Sequence, residues 1–272
     1  MPKIEKHVIQ RLAVGGFQSA LHPAPTLSEL FHENTKFTPS SARESGRLIA
    51  AVARSPLLRA LMARPYKVFS LMDQVALGEA RPSGELEEVI TARRSTRTYS
   101  GESLSTHQLA HLLHFSYGET DRRRHYRAVG SGGALYPLEL YAFVSRVDGL
   151  DSGIYHYNVE HHCLDVISRD EFGPALQSAA WLADVEADRM SVLFVVTAVF
   201  RRSTMKYKDR GYRMVLMEAG AVAQNMCLVA TRLGLAACVL GGFQDDALSA
   251  LLEIDGYEEA PLLLVAVGRP RS

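Results

Sequence analysis

The chain has 272 residues, of which 47% are hydrophobic and 22% are charged. This composition is ordinary for a folded globular protein and excludes a disordered chain. The 30 Lys and Arg residues balance the 30 Asp and Glu residues, so no overall basic field is available to hold nucleic acid or an anionic membrane.

The cysteines and the N-terminal stretch bear on the compartment. Cys163, Cys227 and Cys238 are widely spaced and odd in number, which fits neither a disulfide framework nor a paired-cysteine metal site. The stretch MPKIEKHVIQRLAVGG has no sustained apolar region and no small-residue cleavage site, so it is a poor secretory signal. We therefore expect a cytoplasmic protein.

The N-terminal part of the chain has apolar residues at helical spacing. The stretch RLIAAVARSPLLRALMARPYKVF shows this pattern, with a break expected at Pro56. Gly78, Pro82 and Gly84 then cluster in the stretch LGEARPSGE, which is typical of a domain boundary. We interpret residues 1–82 as a helical extension packed on a main domain of residues 83–272, with peptide or partner binding as the alternative role of the extension.

The main domain mixes helices and strands. Residues 85–94 predict a short helix, and the Ser105 and Gln108 capping box predicts a second helix that runs to Tyr117 and ends at Gly118. Strands are predicted at LELYAFVS, GIYHY, CLDVI, SVLFVVTAVF and PLLLVAVG. Because the elements interleave without a regular βαβ repeat, we expect an α+β fold with a mostly antiparallel sheet covered by helices.

A long apolar run extends from Met214 to Leu235. It is interrupted by charged and amide side chains, namely Glu218, Gln224, Asn225 and Arg232. A bilayer core requires about 20 residues with almost no charge, so this run predicts a helix buried in a protein core.

A glycine-rich segment, GSGGALYP, occupies residues 130–137. A dinucleotide-binding fingerprint would need a third glycine where Leu135 stands, and the P-loop lysine is absent. The small residues would still let the backbone approach a flat ligand closely. A plain loop is the alternative interpretation.

Two further segments concentrate cations. RRSTRTY, residues 93–99, begins with three guanidiniums and two hydroxyls, which are groups that hold a phosphate, and Arg269 follows a predicted buried strand. KYKDRGYR, residues 206–213, predicts a loop or helix start, where a lysine partly withdrawn from water could act as a base. The alternative for both segments is a solvated charged surface.

Histidines and arginines mark two other surfaces. His107, His111 and His114 share one helical face, but no nearby carboxylate or thiol would complete a metal site, so we expect no metal. The run Arg122 to Arg124 with His125 indicates a loop, with guidance of an anionic or peptide substrate as the alternative.

Taken in chain order, several motifs together resemble the SagB-type dehydrogenases of the nitroreductase superfamily, which include the McbC-like oxidases of thiazole/oxazole-modified peptide pathways. The motifs are RRSTRTY, GSGGALYP, GIYHY, KYKDRGYRMVLMEAGAVAQNMCLVATRLGL, VLGGF and LLLVAVGRP. The resemblance covers about residues 85–272, and FHENTKF at residues 31–37 is similar to the family's upstream segment. Gly130 departs from the family, which usually has proline there.

The resemblance implies a nitroreductase-like α+β homodimer with FMN at the subunit interface. It implies an azoline oxidase that acts on an azoline-containing precursor peptide together with cyclodehydratase subunits, one of them of the YcaO type. Lys206 and Tyr207 match the family's catalytic pair. The implied flavin contacts are Arg93, Ser95, Arg97 and Arg269 at the phosphate and ribityl chain, Ser131, Gly132, Gly133 and Ala134 at the isoalloxazine, Gly241 and Gly242 at its other edge, and Arg94, Gln224 and Asn225 nearby.

Two other functions remain open at this point. One is a free-standing nitroreductase-like flavoprotein that acts on small molecules with NAD(P)H. The other is a non-catalytic flavoprotein that scaffolds a cyclodehydratase, although the retention of Lys206 and Tyr207 argues against it. If Lys206 is the base, burial or the neighbouring cations Lys208, Arg210 and Arg213 would have to favour its neutral form.

Overall fold

The computed structural model describes residues 25–62, 66–67, 69–182 and 185–271. The stretch MPKIEKHVIQRLAVGG lies outside the described residues. Contacts divide the chain into two compact units, Met1–Lys36 and Phe37–Ser272, which are described separately. The boundary that we place at residue 82 stays a prediction.

The first unit contains helix α1 (Leu27–Thr35). This helix begins with a capping box, in which the Thr26 hydroxyl accepts from the Glu29 amide and the Glu29 carboxylate accepts from the Thr26 amide. Such reciprocal bonds satisfy two amides that a helix start leaves without partners.

The second unit begins with helices α2 (Pro39–Arg54) and α3 (Pro56–Met62). The predicted break at Pro56 is confirmed, because a proline inside a helix would remove one hydrogen bond and clash with the preceding turn. This part of the chain exposes many large apolar side chains through residue 90, among them Ile49, Leu57, Met62, Tyr66, Phe69, Leu71, Met72, Val75, Leu77, Leu86 and Ile90.

Helices and strands alternate through the rest of the chain. The helices are α4 (Glu85–Ala92), α5 (Thr106–Tyr117), α6 (Gly173–Ala179), α7 (Arg201–Tyr207), α8 (Asp209–Arg232) and α9 (Asp245–Leu251). The strands are β1 (Glu119–Asp121), β2 (Tyr126–Arg127), β3 (Leu138–Val144), β4 (Gly153–Asn158), β5 (Cys163–Ser168), β6 (Val192–Val199), β7 (Ala236–Leu240) and β8 (Glu259–Gly268).

Six of these strands form one antiparallel sheet in the order β5-β4-β3-β6-β8-β7, and β1 and β2 form a separate hairpin. One face of the sheet packs against α5 and α8, and the other packs against α6 and α9. Strand β6 lies inside the sheet and is buried on both faces, which accounts for its continuous apolar sequence. The predicted α+β fold with a mostly antiparallel sheet is confirmed.

Helix α8 is the long apolar segment of the sequence. Among the described residues it is the one helix long and apolar enough to cross a membrane by length and composition. Val215, Val222 and Met226 on this helix are fully buried in the core that it forms with the sheet. The prediction of a buried core helix at this position is confirmed, since these side chains are buried against the sheet.

Candidate active site

The glycine-rich segment, residues 130–137, follows the β1–β2 hairpin, contains one short 3-10 turn and leads into β3. We call it the glycine loop. Gly133 has a φ of 71°, in the left-handed region that glycine occupies without strain. A Cβ atom at Gly133 would lie 2.6 Å from the Tyr207 hydroxyl and 2.8 Å from the Lys206 Nζ. The loop backbone therefore lies directly against the predicted catalytic pair, at a distance that only glycine allows.

Lys206 and Tyr207 are the last two residues of α7. The Lys206 Nζ lies 5.1 Å from the centroid of the Tyr207 ring, and Lys206 is exposed while Tyr207 is half-buried. Our prediction of a loop or helix start at residues 206–213 is only partly right. Two helices meet at Lys208, whose positive φ of 49° separates α7 from α8.

Gly211 explains how α7 and α8 approach each other. A Cβ atom at Gly211 would lie 2.8 Å from the Ser203 carbonyl group and 3.0 Å from the Thr204 backbone nitrogen. Glycine at this position therefore lets the start of α8 pack directly on the backbone of α7.

Arg202, one helical turn before Lys206, anchors α7. Its guanidinium forms an ion pair with Glu139 on β3 and donates to the Tyr136 carbonyl at 3.2 Å. Burial acts to raise the pKa of Glu139, but His156 and Arg202 outweigh it and hold that pKa below its usual value. Glu139 is thus an ionised partner for Arg202, which ties the lysine-bearing helix to the end of the glycine loop.

The arginine-rich segment lies at another part of the sheet, along its edge strand β7. Ser95 pairs with Ala237 in a parallel bridge, and the Thr96 amide donates to the Ala237 carbonyl at 3.0 Å. Arg93 is half-buried and Arg97 is exposed, and neither forms an ion pair with a described residue. Both guanidiniums are available to an anionic ligand.

Arg269 and the glycine pair after β7 adjoin this segment. The Ser100 amide donates to the Arg269 carbonyl at 3.0 Å, and the Arg269 Nε donates to the Ser103 carbonyl at 2.8 Å. A Cβ atom at Gly242 would lie 2.7 Å from the Trp181 ring, whereas Gly241 has open space around it. The structure thus brings the arginine-rich segment and Arg269 to the sheet edge formed by β7. Gly241 and Gly242 directly follow that strand.

The predicted site residues fall into two groups along α8. The lysine half-site comprises the glycine loop with Lys206 and Tyr207. It lies near the start of α8, because a Cβ atom at Gly132 would lie 3.0 Å from the Met214 side chain. The arginine half-site comprises residues 93–97, Gly241, Gly242 and Arg269. Arg93 lies near Cys227 on α8, since its charge acts to lower the pKa of that thiol, which burial raises. At about 1.5 Å per residue, Cys227 lies ~20 Å further along the helix than Met214. Within the described residues no hydrogen bond or ion pair joins the two half-sites.

Comparison with known proteins identifies the family. The family model described as "Nitroreductase family" matches residues 90–269. The chain belongs to the nitroreductase family. The nitroreductase fold and the family resemblance predicted from the sequence are both confirmed, and members of this family are oxidoreductases that typically bind flavin.

Two known proteins and one solved structure are similar to this chain. MJ1384 of Methanocaldococcus jannaschii, which is named as a nitroreductase, is 41% identical over 185 residues, or 68% of this chain and 91% of that protein. The microcin B17-processing protein McbC of Escherichia coli is 28% identical over 61% of this chain and 62% of its own length. A solved chain of the E. coli microcin synthetase McbBCD complex with truncated pro-MccB17 has the same fold, with a TM-score of 0.62, 22% identity and coverage of 92% of this chain and 99% of that one.

The two half-sites fit the flavin that nitroreductase-family proteins typically bind. A Cβ atom at Gly133 would collide with the Tyr207 hydroxyl and the Lys206 Nζ, so this glycine keeps the loop backbone next to the lysine pair. Arg93 and Arg97 offer guanidiniums suited to a phosphate. The guanidiniums and the glycine-lined backbone are therefore compatible with a planar ligand that carries a phosphate, such as FMN.

Other predicted contacts have different surroundings. The Asn225 amide donates to the carbonyls of Phe115 and Ala128, so it holds the backbone that leads to the glycine loop, while Gln224 is exposed. Arg94 donates to the carbonyls of Thr91 and Arg93, within its own segment. Among the described residues, no group of three or more His, Cys, Asp or Glu side chains is arranged to hold a metal ion.

Proposed function

We propose that this nitroreductase-family chain is an FMN-dependent dehydrogenase that oxidises thiazolines and oxazolines in a precursor peptide to thiazoles and oxazoles. The observation that carries the proposal is the close approach of Gly133 to the Lys206 and Tyr207 pair, which supports a role for this pair in proton transfer next to the glycine loop. The similarity to McbC, a protein named for microcin B17 processing, supports a peptide as the substrate.

The proposed reaction removes a proton and a hydride from each ring. FMN, when bound, supplies the hydride acceptor. Lys206 takes the proton at its Nζ, and the Tyr207 hydroxyl either orients the substrate or relays that proton. Since Lys206 is exposed in the single chain, the withdrawal from water that a lysine base requires would come with bound flavin, peptide or a second subunit.

We also propose that the enzyme is a homodimer with the flavin at the subunit interface. The two half-sites of one chain are separated along α8, and a second copy would let the lysine half-site of one subunit meet the arginine half-site of the other. Met217, between them on α8, is 64% exposed. Residues 49–90 also expose large apolar side chains, and exposed apolar surface of this kind is typical of protein interfaces.

The proposed partners are cyclodehydratase subunits, one of them of the YcaO type, which would form the azolines, and the proposed location is the cytoplasm. The shared fold with a chain of the McbBCD synthetase complex and the similarity to McbC support this assignment.

Substitution of Lys206 tests the proposed role of this residue. A general base contributes about 10² to 10⁴ in rate, so Lys206→Ala should retain bound FMN while azole formation nearly stops. Lys206→Arg is the matched control for charge, because arginine keeps the cation but does not release its proton, and it should be equally inactive. Near wild-type azole formation by either variant would exclude Lys206 as the base.

A second candidate function is a small-molecule nitroreductase that uses NAD(P)H. The observation that favours it is the 41% identity to MJ1384 across 91% of that protein, which is named as a nitroreductase. The two functions differ in substrate, and direct assays separate them.

A further inference from the structure

A buried carboxylate lies beneath the glycine loop. Glu218, in the middle of α8, is 4% exposed. An acid in such surroundings requires hydrogen-bond partners, because the loss of hydration is otherwise costly. Burial raises the pKa of Glu218, and Ser131, Tyr117 and Arg127 act in the opposite direction.

The hydrogen bonds around Glu218 have a defined direction. The Tyr117 hydroxyl donates to Glu218 Oε1 at 2.8 Å and accepts from the Leu138 amide at 3.1 Å. The Ser131 hydroxyl accepts from the Tyr136 amide at 2.9 Å and acts to lower the pKa of Glu218. Because Tyr117 and Ser131 each accept a hydrogen bond from a backbone amide, their own hydroxyl protons remain available to the carboxylate. Glu218 is therefore linked through Tyr117 to the Leu138 amide, and it interacts with Ser131, which holds the Tyr136 amide.

Two features keep the Tyr117 hydroxyl protonated and the Glu218 carboxylate compensated. Burial raises the pKa of Tyr117 far above its usual value, so this hydroxyl stays protonated. The Arg127 guanidinium lies 4.6 Å from the Tyr117 ring and 5.0 Å from the Tyr136 ring, and its charge acts favourably on Glu218. The cation thereby compensates the buried carboxylate, while the two rings fix the position of the cation.

The residues of this hydrogen-bond network lie on both sides of Gly133 in the sequence. Ser131 precedes Gly133, and Tyr136 and Leu138 follow it. The Arg202 bond to the Tyr136 carbonyl holds the same stretch from the side of α7. A change at Glu218 would consequently be transmitted to the backbone of Gly133, although Glu218 forms no hydrogen bond with Lys206 or Tyr207 among the described residues.

We propose that Glu218 is a positioning residue that, through Tyr117 and Ser131, fixes the glycine loop in the conformation in which Gly133 lies against Lys206 and Tyr207 and receives the flavin. This inference deepens the proposed function and rests on it for the identity of the ligand. The ordering of the loop itself does not depend on the ligand.

The test compares Glu218→Gln with Val222→Ala. Glutamine keeps the shape of glutamate but removes its negative charge and replaces one acceptor oxygen with an NH2 donor, so the hydroxyls lose their charged acceptor. Val222 is fully buried one turn further along α8, and its truncation weakens the same helix without touching the network. Both full-length proteins are studied without flavin by hydrogen exchange of residues 128–138, and then by FMN titration with recording of the bound flavin's absorption spectrum.

We expect Glu218→Gln to speed exchange at the Tyr136 and Leu138 amides, to weaken FMN binding by about tenfold or more and to change the flavin spectrum. Val222→Ala should lower the melting temperature but leave both the local exchange pattern and the FMN affinity close to wild type. Unchanged exchange and affinity in Glu218→Gln, or equal effects in both variants, would overturn the positioning role. Failure of the wild type to bind FMN would instead reject the proposed function, and the exchange data would still decide the role of Glu218.

Discussion

At the level of single residues, the strongest constraint on the candidate site is the conformation of Gly133. Its φ of 71° and its closeness to the Tyr207 hydroxyl both exclude a side chain without local rearrangement. Gly130, three residues earlier in the same loop, has no atom within 4 Å of the position that a Cβ would occupy. The two glycines therefore differ in what an added methyl group would do.

We predict that Gly133→Ala loses most of its affinity for FMN. The left-handed conformation alone costs about 1–2 kcal/mol for a residue with a Cβ, and the contact with Tyr207 adds to that cost. Since 1.4 kcal/mol corresponds to a factor of about ten, a fluorescence titration should show binding weakened at least about tenfold. Gly130→Ala serves as the control and should bind FMN nearly as the wild type does. Equal affinity of the two variants would contradict the proposed closeness of flavin and loop.

The sequence identifies some of these residues and not others. Gly133, Lys206 and the arginines of residues 93–97 stand in recognisable motifs, so they can be selected without coordinates. Glu218 and Arg202 cannot, because their partners are remote in the chain: Tyr117 is 101 residues from Glu218, and Tyr136 is 66 residues from Arg202. A glutamate inside an apolar helix is the one signal that the sequence offers for Glu218.

At the level of elements, the main strands and the capped helix α5 follow from local pattern. The Ser105 and Gln108 capping box begins α5 as predicted, and Gly118 is its C-cap. Strand β7 is missed, because its short sequence AACVL has two small residues and lacks the alternation that marks a strand. The division of residues 201–232 into α7 and α8 is also missed, since it depends on the close packing of Gly211 on α7.

The sheet also contains a charged ladder that makes stability depend on pH. His156 on β4 lies 3.0 Å from Glu139 on β3 and 3.4 Å from Asp165 on β5. Burial acts to lower the pKa of His156, but the two carboxylates outweigh it and raise that pKa above the usual 6.5. A raised pKa in the folded state means that the protonated histidine stabilises the fold below about pH 6.5, and that this contribution disappears as pH rises through the folded-state pKa.

We predict that His156→Gln is less stable than the wild type at about pH 5.5 and that the difference shrinks at about pH 8.5, because only the wild type gains from protonation. Thermal unfolding across this range measures the effect. His161→Gln is the control, since His161 is an exposed residue of the turn between β4 and β5. A stability difference that is constant with pH would show that the ladder does not hold a protonated histidine.

At the level of the whole molecule, the separation of the two half-sites along α8 is the feature that a single chain does not explain. We predict a homodimer, in which the exposed apolar surface of α8 and of residues 49–90 is buried in an interface of about 2,000 Å² or more. Light scattering should give twice the mass of one chain.

Met217→Lys should yield monomers that lose FMN, whereas Val166→Lys, at a side chain 44% exposed on β5, should remain dimeric. Monomers of Met217→Lys that retain FMN would contradict a site shared between subunits.

The central claim is that this nitroreductase-family chain aromatises azolines in a peptide. The most direct measurement incubates the FMN-loaded protein with a purified thiazoline-containing peptide in air and follows the peptide by mass spectrometry, beside a parallel assay of a nitroarene with NADPH. We predict the loss of two hydrogens per thiazoline ring, abolished in Lys206→Ala, and little reduction of the nitroarene. Nitroarene reduction without any change in the mass of the peptide would contradict the account and favour the small-molecule function.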